Sequence, residues 1–351
     1  MTRPLPSRAD LVEYNHAVAG HDGTLCDIDG ELFIKPCTPA EIAFYEESVA
    51  SHPEFAEYMP TFLGTLILDE QQSASLEEQG AALLATHTAG HLQETEVPVA
   101  KHTVPEVVVP IKTTKKIVTD LAVVLENAAH GYVKPNILDV KLGVRLWADD
   151  APMEKQIRFD KVTEETTHKD LGFRIAGMRV WHGPGAKGQD IDGEGFKIYD
   201  RNYGRYSVQK ENVHEAFQKF IFVESAGIDD ELGQLVAQAF LTEVERIQEI
   251  LEGQESQMFS ASLLFVFEGD GIALRAALEE ASKPPPTLTN GNQHPGDESE
   301  DDEDEPIGPK IYTVKVIDFA HAQWTPGRGS DENSLVGVRS VAKILRDLGR
   351  V

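Results

Sequence analysis

The chain has 351 residues, 41% of them hydrophobic, and carries 59 Asp+Glu against 32 Lys+Arg, a formal net charge of −27. A field of that sign repels nucleic acid and anionic membranes, which argues against direct nucleic-acid binding and requires any phosphate site to be locally basic. Cys26 and Cys37 give no disulfide framework, no segment approaches the ~20 apolar residues of a membrane span, and the N-terminus lacks the apolar run of a signal peptide, so an intracellular protein of two lobes is expected.

Residues 11–37 read as a hairpin, with strands at Thr24–Cys26 and Leu32–Lys35 around the turn Asp27-Ile28-Asp29-Gly30. Thr38 then caps a helix with Pro39 at its first position and Glu41 three residues after the cap, running to about Val49. Phe62–Leu68 reads as a strand, residues 69–103 as a polar surface insertion, and Val107–Pro110 and Lys116–Leu125 as β-rich. Together these make a small N-terminal lobe over residues 1–128, with a hinge at 126–129.

The larger lobe covers residues 130–351. Pro135–Gly143 reads as a strand opened by proline and closed by glycine. Met153–Asp170 is charged with helical stretches, Phe173–Trp181 is a strand, and Val213–Val223 is a helix. Asp230–Glu252 is a longer helix, with Leu232, Leu235, Ala239, Phe240, Val244 and Ile247 or Ile250 at helical spacing. Strands follow at Ser262–Phe267 and Tyr312–Phe319, and an amphipathic helix at Leu335–Leu348. Residues 283–310 open with Pro284-Pro285-Pro286 and close with the acidic run 297–305, a composition that buries too little to fold.

Asp139 and Lys141, two apart in an extended segment, lie on one side of the backbone. An acid and a base side by side suit phosphoryl transfer: the acid orients or deprotonates a hydroxyl, and the lysine neutralises the moving phosphoryl group. On spacing alone, a solvated edge pair is the commoner outcome. Asp318 ends an apolar run, where a lone carboxylate is costly to bury unless it binds a cation. Lys155, Arg158 and Lys161 form a basic cluster in which Arg158 and Lys161 share a helical face, a docking place for an anion in an acidic chain.

Pro135-x-x-x-Asp139-x-Lys141-x-Gly143 resembles the signature of the inositol polyphosphate kinase family. Ser262–Gly269, Val316–Ala322, Gly20–Gly23, Phe33–Pro36, Glu41 and Phe44-Tyr45 fit the same family in order, most like the fungal form of its multikinase branch. The resemblance implies an α+β, two-lobed ATP-grasp or protein-kinase-like fold, with antiparallel sheets in both lobes. It implies ATP and Mg2+ as cofactors. Lys35 would contact the ATP phosphates, paired with Glu41, while Glu126 and Ala128 would hold adenine through backbone groups. Asp139 would touch the ribose and the substrate hydroxyl, Lys141 the transferred phosphate, and Asp318 the metal. Ser262 would add a polar contact on the strand beside Asp318, or bond the backbone as an ordinary strand hydroxyl. His321 would reach substrate phosphate, joined by Arg158 and Lys161, with Lys169 and Arg179 as weaker candidates.

The segment 144–171 is short for the family, and an open pocket with few rigid contacts tolerates several phosphate patterns. That favours a multikinase, and the family resemblance implies successive phosphorylation of inositol trisphosphate to tetrakis- and pentakisphosphate at the 6- and 3-hydroxyls. The rival readings are an inositol hexakisphosphate kinase making pyrophosphates, and a transcriptional scaffold that binds basic proteins such as transcription factors through the acidic loop. A nuclear and cytoplasmic location is expected.

Overall fold

The computed structural model describes Pro6, residues 10–14, Val18 and residues 23–68, 119–188, 190–283 and 309–350. The insertion at 69–103, the β-rich stretch 107–110, most of Gly20–Gly23 and the acidic run 297–305 lie outside the described residues. Among the described residues, two five-stranded sheets, antiparallel throughout, carry the architecture. The first comprises β1 (Leu11–Glu13), β2 (Leu25–Asp27), β3 (Leu32–Pro36), β4 (Phe62–Ile67) and β5 (Leu121–Glu126), in the order β1-β2-β3-β5-β4. The second comprises β6 (Pro135–Leu142), β7 (Phe173–Trp181), β8 (Phe196–Tyr199), β10 (Ser262–Glu268) and β11 (Tyr312–Ile317), in the order β11-β10-β6-β7-β8. β9 (Ser256–Met258) and β12 (Ala322–Trp324) pair separately.

The helices are α1 (Pro39–Ser51), α2 (Pro53–Ala56), α3 (Met153–Glu164), α4 (His168–Leu171), α5 (Val213–Ile221), α6 (Asp230–Gly253), α7 (Gly271–Ala281) and α8 (Glu332–Leu348). α1 starts as its sequence demands: Thr38 accepts a hydrogen bond from the Glu41 amide, and Pro39 occupies the first turn. No described helix is long and apolar enough to cross a membrane.

Strand alternation gives the second sheet two different faces. Leu138, Val140 and Leu142 of β6, Leu263, Phe265 and Phe267 of β10, and Val314 and Val316 of β11 join the main core beneath α6 and α8. Each such side chain contributes about 1.5–3 kcal/mol by burial, so this face anchors the sheet. The opposite face, carrying Ile137, Asp139 and Lys141, looks into the cleft between the sheets.

α1 and α2 strap across to the second sheet. Phe44 stacks on Trp324 at 5.3 Å and lies 4.8 Å from Phe319. Trp324 Nε1 donates to Ser48 Oγ at 3.2 Å, the Val316 amide to the Tyr58 carbonyl at 2.7 Å, and Tyr58 Oη to Glu243 of α6 at 3.0 Å.

Several expectations need correction. Of the strand expected over Lys116–Leu125, residues 116–118 lie outside the described residues, Thr119 and Asp120 are not strand, and β5 runs from Leu121 on to Glu126. β11 stops at Ile317 instead of Phe319, because Asp318 turns into the left-handed region at φ +69°. On α6 the buried stripe is Leu232, Val236, Ala237, Phe240, Val244, Ile247 and Leu251, while Leu235 is exposed. α2, α7, β8, β9, β12 and a π-helical turn at Tyr203–Ser207 have no counterpart in the sequence reading.

Candidate active site

β6 delivers the acid and the base together. Asp139 is opposite Leu264 and Gly177, Lys141 opposite Ser262 and Arg174, and β7 carries an extra residue between the two rungs. Such a bulge re-aims side chains without breaking the sheet. The strand ends at Gly143, whose φ of +100° and close approach to the Asn333 side chain exclude a Cβ. The Gly143 carbonyl accepts from His168 Nδ1 at 2.7 Å, and its amide donates to Gly172 at 2.8 Å, so the turn after Lys141 is pinned.

The centre is a chain of charges. Lys35, 7% exposed, donates to Glu41 Oε1 at 2.7 Å and to Asp318 Oδ1 at 2.9 Å. Lys141 donates to Asp318 Oδ2 at 2.9 Å and to the Ser260 carbonyl at 2.8 Å. Asp318 and Ser260 are the positive-φ non-glycine residues among those described, and both touch Lys141. Backbone strain of about 1–3 kcal/mol per residue gathers where surrounding structure over-determines it. Glu41 Oε1 also accepts from the Phe319 amide at 3.3 Å, so one carboxylate oxygen positions both Lys35 and the segment after Asp318.

Burial pushes the Asp318 carboxyl up, but the ammonium groups of Lys141 and Lys35 outweigh it and hold Asp318 well below the usual carboxylate range. Burial likewise disfavours charge on Lys35, and Asp318 and Glu41 reverse it, keeping the lysine cationic. Asp139 goes the other way: burial raises it, Asp318 adds to the rise, and Lys141 and Arg174 offset only part. Asp139 Oδ1 and the neighbouring Ser262 Oγ are buried and form no full hydrogen bond among the described residues, although the Ser262 hydroxyl is near enough to offset part of the rise on Asp139. An acid poised for proton transfer has these properties.

The cleft is apolar at one end, with Phe33, Leu125, Ala129, Ile137, Leu264 and Val266, and charged at the other, with Lys35, Asp139 and Asp318. That polarity matches a base joined to phosphates. Glu126 ends β5 at the hinge, its carboxylate bonded to Thr61 and Lys310, and Ala128 follows in the turn. Asn127, overlooked in the sequence, builds that turn: its amide donates to Glu31, Nδ2 to Gly30 and Oδ1 accepts from Ala129.

On the opposite side, Lys155 Nζ lies 3.2 Å from His321 Nε2. Burial, then the charge of Lys155, lowers the His321 imidazole below its ordinary value, so it meets Lys155 as a neutral acceptor. The basic cluster therefore reaches the site through Lys155. Arg158 is exposed, 5.1 Å from the Phe159 ring, and Lys161 stands 3.6 Å from Glu165. Lys169 pairs with Glu164 on the surface, and Arg179 lies flat on Phe196 at 3.3 Å, paired with Glu194; neither meets His321.

His168 gives a test of this scaffold. Burial, with Arg174 and Lys141 nearby, pushes the imidazole down to about 3. In the unfolded chain it titrates near 6.5, so protonation favours unfolding. The stability it contributes is complete above pH 6.5 and lost as pH falls toward 3, about 2 kcal/mol by pH 5. His168→Gln removes that loss, so the Tm gap between wild type and variant should shrink from pH 7.5 to pH 5. A gap indifferent to pH would contradict the buried neutral histidine.

Against known proteins, the inositol polyphosphate kinase family matches residues 122–346. The inositol polyphosphate multikinase of Saccharomyces cerevisiae is 30% identical over 359 aligned positions, covering 94% of this chain and 96% of the relative. That of Schizosaccharomyces pombe is 25% identical, covering 92% of each. Inositol hexakisphosphate kinase 3 of Mus musculus is 29% identical but covers 64% of this chain and 50% of the relative. A crystal structure of an inositol phosphate multikinase from S. cerevisiae in complex with ADP and Mn2+ superposes with a TM-score of 0.62 at 26% identity, covering 91% of this chain and 99% of that one.

Proposed function

Because the chain belongs to the inositol polyphosphate kinase family, we propose that it transfers the γ-phosphoryl group of ATP to inositol polyphosphates, converting trisphosphate to tetrakis- and pentakisphosphate at the 6- and 3-hydroxyls. The observation that carries this is the Lys35–Asp318–Lys141 relay beside the buried Asp139, whose Oδ1 forms no hydrogen bond among the described residues. The near-full-length likeness to two multikinases supports the substrate range, against a likeness to half of the hexakisphosphate kinase.

In this reading Lys35, held by Glu41, is a fixed cation for the nucleotide phosphates. Asp139 aligns the attacking hydroxyl and takes its proton, which its raised pKa suits. Lys141 meets the charge on the phosphoryl group in flight. Asp318 offers the hard carboxylate oxygen that a divalent metal wants. Among the described residues, no three His, Cys, Asp or Glu converge, so Mg2+ would draw its remaining ligands from nucleotide phosphates and water. Bound there, it would supply charge neutralisation on the phosphates.

Incubation with ATP, Mg2+ and a panel of inositol phosphates, with products resolved by isomer, tests the proposal. Products phosphorylated at the 6- and 3-hydroxyls are expected. Pyrophosphate products from hexakisphosphate would move the chain to the rival activity, and no turnover of any panel member would remove the kinase reading.

Lys155 and Arg158 should separate in the same assay. Lys155→Ala should raise the inositol-phosphate KM by about tenfold, the worth of one charge-assisted contact, and Arg158→Ala by less. ATP KM should stay level in both. Equal effects would mean that contact with His321 does not mark the substrate side. Changing Arg158 and Lys161 together should still raise the inositol-phosphate KM and flatten its rise with salt, because exposed phosphate contacts are screened.

A further inference from the structure

Arg174 is a buried charge that the chemistry above does not use. It stands opposite Lys141 on β7, so both side chains share the cleft face. It is 7% exposed, its Nε is buried without a partner among the described residues, and one terminal nitrogen is satisfied by the carbonyl of the next residue, Ile175, at 3.1 Å. An uncompensated guanidinium at that depth costs several kcal/mol.

Nearby residues deepen the imbalance. The π-helical turn Tyr203–Ser207 is pressed onto β7, since a Cβ on Gly204 would meet the Ile175 carbonyl at 1.8 Å. This brings Arg205 up, and its Nε is also buried and unpartnered. The carboxylate Arg205 has is Glu165, at 3.6 Å, and Glu165 stands at the same 3.6 Å from Lys161. Both separations are too long for hydrogen bonds. His168 Nε2, buried close by, is unpartnered as well. Burial lowers the Arg174 guanidinium from its ordinary value; Asp139 counters this, and the charges of Arg205 and Arg201 add to it. The surroundings therefore hold more positive charge than they neutralise, in a chain of net charge −27.

We propose that Arg174 and Arg205 form the floor of an anion subsite beside Lys141, which takes a phosphate of the inositol polyphosphate other than the one being made. Glu165 stands loosely in that anion's place, between Lys161 and Arg205. The subsite rests on the kinase reading above and deepens it by naming what orients the ring. Planar guanidinium donors select phosphate by geometry as well as charge. A ligand with its phosphate elsewhere leaves these donors unpaired, and that penalty is what sets the accepted pattern.

Calorimetric binding of inositol trisphosphate to the full chain, together with steady-state kinetics, tests this. Arg205→Gln and Arg174→Met should each weaken binding and raise the inositol-phosphate KM by about tenfold to a hundredfold, with ATP KM within about twofold. Arg174→Lys should recover part of the loss. Glu165→Gln should act in the opposite direction and tighten binding, because it removes the competing carboxylate. Among isomers lacking single phosphates, the one missing the held phosphate should bind wild type and Arg205→Gln alike, as a closed thermodynamic cycle requires. Arg205→Gln is partly exposed and keeps the test alive if Arg174→Met fails to fold. Wild-type binding by Arg205→Gln, or an equal loss across all isomers with no gain in Glu165→Gln, would overturn the subsite while the kinase reading stood. A wild-type protein that turns over no inositol phosphate would remove both.

Discussion

Lys141→Ala yields a folded, ATP-binding protein whose kcat falls by about 10²–10³, the usual cost of losing one preorganised charge from the transferring group. Lys141 bonds Asp318 Oδ2 and the Ser260 carbonyl; without it Asp318 Oδ1 keeps Lys35, while Asp139 loses its largest positive neighbour and is expected to titrate still higher. Lys141 and Asp318 retain 22% and 23% side-chain exposure, and Asp318 keeps Lys35, so the fold should survive the loss with a measurable fall in Tm. The change should fall on kcat, since the lysine acts on the group in flight and not on bound nucleotide. Single-turnover rates alongside Tm decide it. A near-normal kcat with unchanged Tm would take Lys141 out of the chemistry.

Asp318→Asn is the second large effect, and asparagine is the informative choice. Asp318 has φ +69°, a region that Asn tolerates and Ala does not. The substitution therefore removes charge without adding backbone strain. Two ammonium groups lose their shared counter-ion, one of them on the buried Lys35. Activity should fall by two orders of magnitude or more, about 3 kcal/mol in barrier terms, and the metal needed for half-maximal rate should rise. Tm should fall too, because Glu41 alone remains to pair Lys35. Full activity at sub-millimolar Mg2+ would show that the metal is held elsewhere.

The parts of the fold legible in the sequence were those with a long period or strong punctuation. Phe173–Trp181 was read at its true ends, as an apolar run bounded by Gly172 and by His182-Gly183. Thr38-Pro39 fixed the start of α1. β9 and β12 span three residues each and pair across the chain, too short to show alternation. α7 begins at Gly271, a poor helix former, and its signal is the cap alone: Asp270 accepts from the Ile272 and Ala273 amides. For the site, the residue types of the relay were legible and their meeting was not. Lys35 and Asp318 are 283 positions apart, and no spacing rule reaches that far. Arg174 gave no signal, because β7 is buried along its whole length and an arginine within it reads as one solvated rung.

The strap formed by α1 and α2 bears on how nucleotide comes and goes. These helices and Tyr58 just after them precede the hinge in the chain, yet rings and hydrogen bonds tie them to Phe319, Trp324, Val316 and Glu243 beyond it. Swinging the first sheet open as a rigid plate would tear Phe44 from Trp324 and Tyr58 from Glu243 together. The β2–β3 hairpin reaches the far side through Lys35 to Asp318 and, more loosely, through Glu31, 4.0 Å from His130. Exchange of spent nucleotide is therefore a matter of the hairpin flexing over a fixed frame, and the off-rate of ADP should respond to changes in the Asp27–Gly30 turn far more than to changes at the hinge.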